Sequence, residues 1–246
     1  MTKHRYANPP IVEAVCEFRF EPGDWDNAMP GLIWEKVKEP FSKRRDVHRL
    51  DVRLVPGPNG AEQRVTQEPL LRYLRDDEKV FMQVGPSLLS VHHLGPYSSW
   101  EEFKPLIEQG FRAYCGEAMP KGIQRIGLRY INRVEFPGDR IELEEYFEFR
   151  PFVGSTLPED HKSFILGAEF PYEGERDVLR LQVASTVPQR EQQVALILDL
   201  DYFTAKPNSV PAEEVGDWLE QAHDRIEEVF EGCIKAPLRS MFGEVK

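Results

Sequence analysis

Two stretches of this chain alternate apolar and charged residues over the length of a full β-strand, and that period constrains the fold more than any other feature. In residues 11–20, IVEAVCEFRF, the residues Val12, Ala14, Cys16, Phe18 and Phe20 share one face. Glu13, Glu17 and Arg19 fall on the other face, beside Ile11 and Val15. In residues 125–136, RIGLRYINRVEF, one face carries Ile126, Leu128, Tyr130, Asn132, Val134 and Phe136, and the other carries Arg125, Gly127, Arg129, Ile131, Arg133 and Glu135. Successive strand residues point to opposite sides, so each stretch reads as a half-buried strand with one core face and one polar face.

Each strand opens a similar series. After the first, a helix is expected beyond Asp26, with Leu32, Ile33, Trp34, Val37 and Phe41 as apolar positions, Pro30 in its first turn and Pro40 limiting its end. Val52 and its neighbours suggest a strand, PGPNG at 56–60 marks a turn, and residues 70–94 read as further short strands. Ser99 and Glu102 fit a capping box for a helix through Phe103, Leu106, Ile107, Phe111 and Tyr114, which Gly116 can close. After the second strand come a short helix or turn in ELEEYFEF and strands in KSFILGAEF, DVLRLQVAST and QQVALILDLDYF. A last helix is expected from near Ser209, with Val215, Trp218, Leu219, Ala222, Ile226, Val229, Phe230 and Cys233 as its apolar stripe.

The shared order predicts two pseudo-repeats, about 8–118 and 123–236, within a single domain spanning 1–246. The first strands also end alike, in EFRFEPGD and RVEFPGD. The expected fold class is α+β, a largely antiparallel sheet with long amphipathic helices packed on one face. With the two strands aligned on Phe20 and Phe136, three polar positions reverse sign: Glu13 matches Arg129, Glu17 matches Arg133 and Arg19 matches Glu135. Antiparallel pairing about a pseudo-twofold would set Glu13 opposite Arg133 and Glu17 opposite Arg129.

Charge and cysteine content narrow the function classes. The net charge of −11, from 42 acidic against 31 basic residues, argues against a general nucleic-acid or anionic-membrane binder, which needs surplus lysine and arginine. Cys16, Cys115 and Cys233 are far apart and form no CxxC pair, which reads as three reduced, mostly buried thiols and a cytoplasmic location. MTKHRYANPP has no apolar core of a signal peptide, and no window approaches a membrane span.

Several residues are candidates for chemistry. Arg129 and Arg133, with Glu13, could form an anion pocket, because the planar guanidinium fork suits carboxylate or phosphate; with Glu13 and Glu17 as partners they could equally form a charge ladder. Tyr130 and Asn132 bring polar groups to the core face, where the Asn132 amide is expected to be fully hydrogen-bonded. Asp199 and Asp201, two residues apart on one strand face, are a weak magnesium and nucleotide option, with the only Gly-Ser pair, Gly154 and Ser155, far upstream. His92 and His93 point to opposite faces and cannot chelate together. His223 flanks the last apolar stripe, as a residue bonded to the sheet or a loop, or as a general base. Tyr97 and Trp100 anchor a helix start or rim a pocket. The sequence has no P-loop, G-x-S-x-G or G-x-G-x-x-G, and no cofactor is expected.

Four blocks in order, NPPIVEAVCEFRF, QVGPSLLSVHHLGPYSSWEEF, RIGLRYINRVEFP and WLEQAHDRIEEVF, together resemble a sporadically distributed family of uncharacterised bacterial proteins. The family pattern has Asn in the second block where this chain has His92 or His93, a departure that argues against catalysis by those histidines. The resemblance implies a bacterial protein of an accessory system, defence- or toxin-linked, and carries no catalytic residue across. The sequence therefore favours a non-enzymatic binding or interaction module with a protein partner or self-association. The alternative is a small anionic-ligand or catalytic pocket on Arg129, Arg133 and Glu13.

Overall fold

The two alternating strands lie side by side at the centre of a nine-stranded antiparallel sheet. The structure, a computed structural model, describes residues 5–57, 60–152, 154, 156 and 162–245. In chain order the elements begin β1 (Arg5–Tyr6), β2 (Ile11–Glu21), α1 (Met29–Val37), β3 (Lys43–Gly57), β4 (Gly60–Leu74), β5 (Val80–Gly85), β6 (Leu88–Leu94) and α2 (Trp100–Ala118). They continue with β7 (Gly122–Pro137), α3 (Leu143–Tyr146), β8 (Ile165–Tyr172), β9 (Asp177–Thr186), β10 (Gln193–Thr204), α4 (Val215–Cys233), α5 (Ala236–Phe242) and β11 (Glu244–Val245). The large sheet runs β3-β4-β5-β6-β2-β7-β10-β9-β8, and β1 pairs with β11 in a separate two-stranded ribbon.

The core faces expected from the alternation are buried except at Val12, which is exposed where the pairing with β7 shifts register between Ile11 and Glu13. Ala14, Cys16, Phe18 and Phe20 on β2 join Ile126, Leu128 and Val134 on β7 in one hydrophobic core. α2 and α4 cover this face. Phe111 of α2 packs against Phe18 with ring centroids 4.9 Å apart, and Tyr114 stacks on Phe20 at 4.5 Å. α4 buries Val215, Trp218, Leu219, Ala222 and Ile226, while Val229 and Phe230, farther along the same stripe, are only half-buried.

Ser99 caps α2 as its spacing predicts, accepting a hydrogen bond from the Glu102 N–H. The other end differs from expectation: Gly116 lies inside the helix, and Met119 turns left-handed after it, donating its N–H to the Cys115 carbonyl. The loop after β2 passes so close to this end that a Cβ on Gly23 would strike the carbonyl oxygens of Ala118 and Met119. α4 begins at Val215 rather than near Ser209, because a single 3₁₀ turn at 212–214 precedes it. A strand includes Val52 as expected, and β3 and β4 each run for 15 residues, while β5 and β6 are the short strands expected within 70–94.

The central register is a second correction. Glu13 lies opposite Ile131 and Glu17 opposite Gly127, so neither expected cross-strand pair, Glu13–Arg133 or Glu17–Arg129, forms. The offset is two residues. A two-residue slip keeps every side chain on its own face, so the apolar pattern excludes a one-residue slip but does not distinguish this register from its neighbour.

All three cysteines are free thiols. Burial pushes Cys115 up to about 11 and Cys233 up to about 12, and it raises Cys16 well above the ordinary thiol value. Only the thiolate is nucleophilic, so a colorimetric thiol reagent at pH 8 is expected to react slowly with the folded protein and rapidly with three thiols in denaturant. One fast equivalent in native protein would contradict this placement.

Candidate functional site

The arginines of β7 lie on the sheet face opposite the helices, and each has a carboxylate beside it. Arg129 donates from Nε to Asp199 Oδ1 at 2.8 Å and from Nη2 to Asp199 Oδ2. Arg125 donates to Asp201 Oδ2 at 3.0 Å and lies 3.7 Å from Glu17 Oε1. Arg133 donates to Glu135 Oε1 at 2.8 Å and to the Val187 carbonyl at 2.6 Å. Glu17 accepts from Arg19 at 2.8 Å, and Glu13 lies 2.8 Å from His92 Nδ1. The ladder anticipated between β2 and β7 therefore exists mainly between β7 and β10. Asp199 and Asp201, the weak magnesium option, serve as its counter-charges. Burial pushes the Asp201 carboxyl up against the opposing pull of Arg125 and Arg129.

Arg129 keeps 46% of its side-chain surface exposed, so its pair with Asp199 should contribute no more than about 1 kcal/mol. Arg129→Glu would set a third acid beside Asp199 and Asp201 and is expected to destabilise by about 1 kcal/mol, with Asp199→Arg in the same chain recovering part of the loss. Urea unfolding of the two single variants and the double variant measures this coupling. Recovery by Glu17→Arg instead would restore the register expected from the sequence.

On the helical side, the buried face of the sheet, the start of α2 and the later half of α4 line a half-open cavity of about 1050 Å³. β7 contributes Tyr130 and Asn132 to its wall, and β10 contributes Leu200. The segment before α2 brings Tyr97 to the wall. Its hydroxyl is 3.1 Å from that of Tyr130, and the two rings meet edge-on at 5.6 Å. Burial raises both phenols well above their ordinary value, so they stay neutral and act as hydrogen-bonding hydroxyls.

Trp100 and His223 join the two helices across the cavity. Their rings stack at 4.4 Å and 9°, and Trp100 Nε1 donates to Glu220 Oε2 at 3.0 Å. Lys104 holds the other oxygen of Glu220 at 2.6 Å. The chain's first described residues form a further wall. Tyr6 donates its hydroxyl to Glu231 at 2.6 Å and meets Phe230 and Phe242 edge-on, while β1 is tied down by β11.

His223 is 6% exposed, and its Nε2 lies 3.6 Å from Glu227 Oε1. Among the described residues, His223, Asp224 and Glu227 place ligand-type atoms within 4.8 Å of one another. Such a trio could hold a metal ion, although Asp224 is exposed and acidic helix flanks of this kind are common without one.

The sequence-derived candidates thus divide between two faces. Tyr130, Asn132 and His223 come together in the cavity, whereas Glu13, Glu17, Arg129, Arg133, Asp199 and Asp201 lie across the sheet from it. Tyr97 and Trp100 also line the cavity. Asn132 is buried as expected, at 2% exposure. Among the described residues its amide makes one hydrogen bond, from Nδ2 to the Leu198 carbonyl at 3.1 Å. Tyr6 and Glu227 escaped sequence reasoning, and Phe230 reads there only as part of the apolar stripe of α4 rather than as cavity wall. Their only signal was a tyrosine and an asparagine on an otherwise aliphatic strand face, which implied polar company without identifying it.

No protein-family model matches the chain, and no curated protein sequence matches it.

Proposed function

We propose that this chain is a non-enzymatic binding module and that the cavity beneath α2 and α4 is its ligand site. The cavity carries the reading: it is large enough for a small ligand or a partner's side chain, has aromatic walls and converges a few buried polar groups. The alternative anion pocket has less support, since Arg129 and Arg133 already have Asp199 and Glu135 as partners. A protein partner or a second copy could supply the occupant.

We also infer that the two halves arose by duplication. Outward from the centre, β2 is followed by β6, β5 and β4, and β7 is followed by β10, β9 and β8. That mirrored order, with a 19-residue helix closing each series, supports the inference.

The site reading is tested by amide chemical-shift mapping with a fragment library. Shifts should cluster at Tyr97, Tyr130, Asn132 and His223, and Ile11→Trp, which places an indole at the cavity wall, should suppress them. Shifts centred on Arg129 and Arg133 that survive Ile11→Trp would overturn the proposal.

A further inference from the structure

We propose that the sheet face opposite the helices carries a second site, built from Arg45, Arg72 and Gln83, that binds a phosphate group. It lies across the sheet from the cavity and does not depend on it.

Strand register assembles the three side chains. Arg72 on β4 stands directly between Arg45 on β3 and Gln83 on β5. Directly opposed strand residues share a face, and this row continues through Ser90 to Glu17, on the side away from α2 and α4.

The first observation is Arg72 itself. Its Nε is buried and meets no acceptor among the described residues. On the same face Arg125, Arg129, Arg133 and Arg180 each donate to a carboxylate oxygen at 3.0 Å or less. Arg72 has no such ion pair among the described residues. Its guanidinium lies 4.3 Å over the Phe81 ring, which stacks in turn on His92 at 4.4 Å and 11°. A planar fork held over a ring is already oriented for an oxyanion, so little side-chain freedom is lost on binding. Burial and then Arg45 lower the Arg72 pKa, against an opposing pull from Glu13, whose carboxylate is engaged 2.8 Å from His92 Nδ1.

The second observation is like charge. Arginines directly opposite each other across two strands repel. Lys43 lies two residues before Arg45 on the same face, and the Glu78 carboxylate serves both, at 3.3 Å from each. Charge-assisted bonds of this type are ordinarily about 2.7–2.9 Å, so Glu78 holds neither cation closely. Asp76 reaches Lys43 only through its main-chain carbonyl, at 2.9 Å. Among the described residues, three cations therefore surround one paired carboxylate, in a chain whose net charge is −11.

The third observation is Gln83. Its Oε1 accepts from Ser90 at 3.4 Å, which leaves the NH₂ as a donor beside Arg72. Two guanidinium groups and an amide present donors only. A phosphate offers oxygens to all three and a charge near −2 to the two arginines. A single carboxylate has two oxygens and one charge, and would leave one of the three unused.

Isothermal titration of the full chain at low ionic strength tests the site. The probes are inorganic phosphate, phosphoserine, acetate and citrate. Saturable one-site binding of phosphate or phosphoserine is expected, at least tenfold weaker in both Arg72→Gln and Arg45→Gln. Arg180→Gln, which removes an arginine paired with Glu169 far across the same face, should leave it unchanged. Arg72→Lys keeps the charge without the planar fork and should restore only part of the affinity. If Arg72→Gln does not fold, Arg45→Gln, at an exposed position on the edge strand, decides alone. Tighter phosphoserine would identify a phosphate ester as the ligand, and tighter inorganic phosphate the free ion. Citrate or acetate binding more tightly than both overturns the phosphate class. Binding that survives Arg72→Gln and Arg45→Gln, or falls equally in Arg180→Gln, overturns the site, as does the absence of binding by every probe. None of these results bears on the cavity, which fragment mapping with Ile11→Trp decides separately.

Discussion

Asp177→Ala is expected to destabilise the protein by about 3–5 kcal/mol, because it breaks a buried charged network by removing one partner. Asp177 is fully buried at the start of β9. Its Oδ2 accepts from Arg176 Nη2 at 2.7 Å and from the Tyr202 hydroxyl at 3.1 Å, and its Oδ1 accepts from Trp218 Nε1 at 3.2 Å. One carboxylate thus ties β9 to β10 and to α4. Alanine would leave two buried donors and an arginine without their acceptor, each carrying its own desolvation penalty. Asparagine keeps the shape but turns an NH₂ toward a donor, so Asp177→Asn should fall between wild type and alanine. Urea unfolding of both variants measures the order. A loss below about 1 kcal/mol for Asp177→Ala would show that the network holds little of the fold together.

Phe18→Ala should cost a similar amount, about 3–5 kcal/mol, through lost burial and the cavity left behind. Phe18 is fully buried on a central strand, with Phe20 at 6.0 Å and Phe111 at 4.9 Å between ring centroids. The core there is bounded by sheet and helix, so it cannot collapse freely into the gap. Val15→Ala, on the opposite face of the same strand, serves as the internal control and should cost less than about 1.5 kcal/mol. Equal losses at the two positions would mean that the strand's faces are wrongly assigned.

These two residues differ in how visible they are in the chain. Phe18 is identified as core by its neighbours at 14, 16 and 20, because strand geometry sends alternate side chains to the same side. The Ser99 cap and the apolar stripe of α4 are legible in the same way. Asp177 opens a strand in a run, RDVLRLQ, that offers no sign of burial, since Tyr202 and Trp218 are distant in sequence.

The arginines show the boundary most clearly. Alternation placed Arg125, Arg129 and Arg133 on the polar face, where they are found. It was silent on whether their partners would come from β2 or from β10, because every register differing by two residues satisfies the same pattern. The cavity is of the same kind. Tyr130, Asn132 and His223 stood out individually as polar groups on apolar faces, but α4, the Tyr97 segment and the strap held by β1 and β11 had to assemble before they became one wall. The sequence by itself determined which way each side chain points, because that direction follows from backbone geometry within a few residues. Only the tertiary structure decided what each side chain meets there, because strand register and helix docking are settled by packing between segments that local periodicity does not relate.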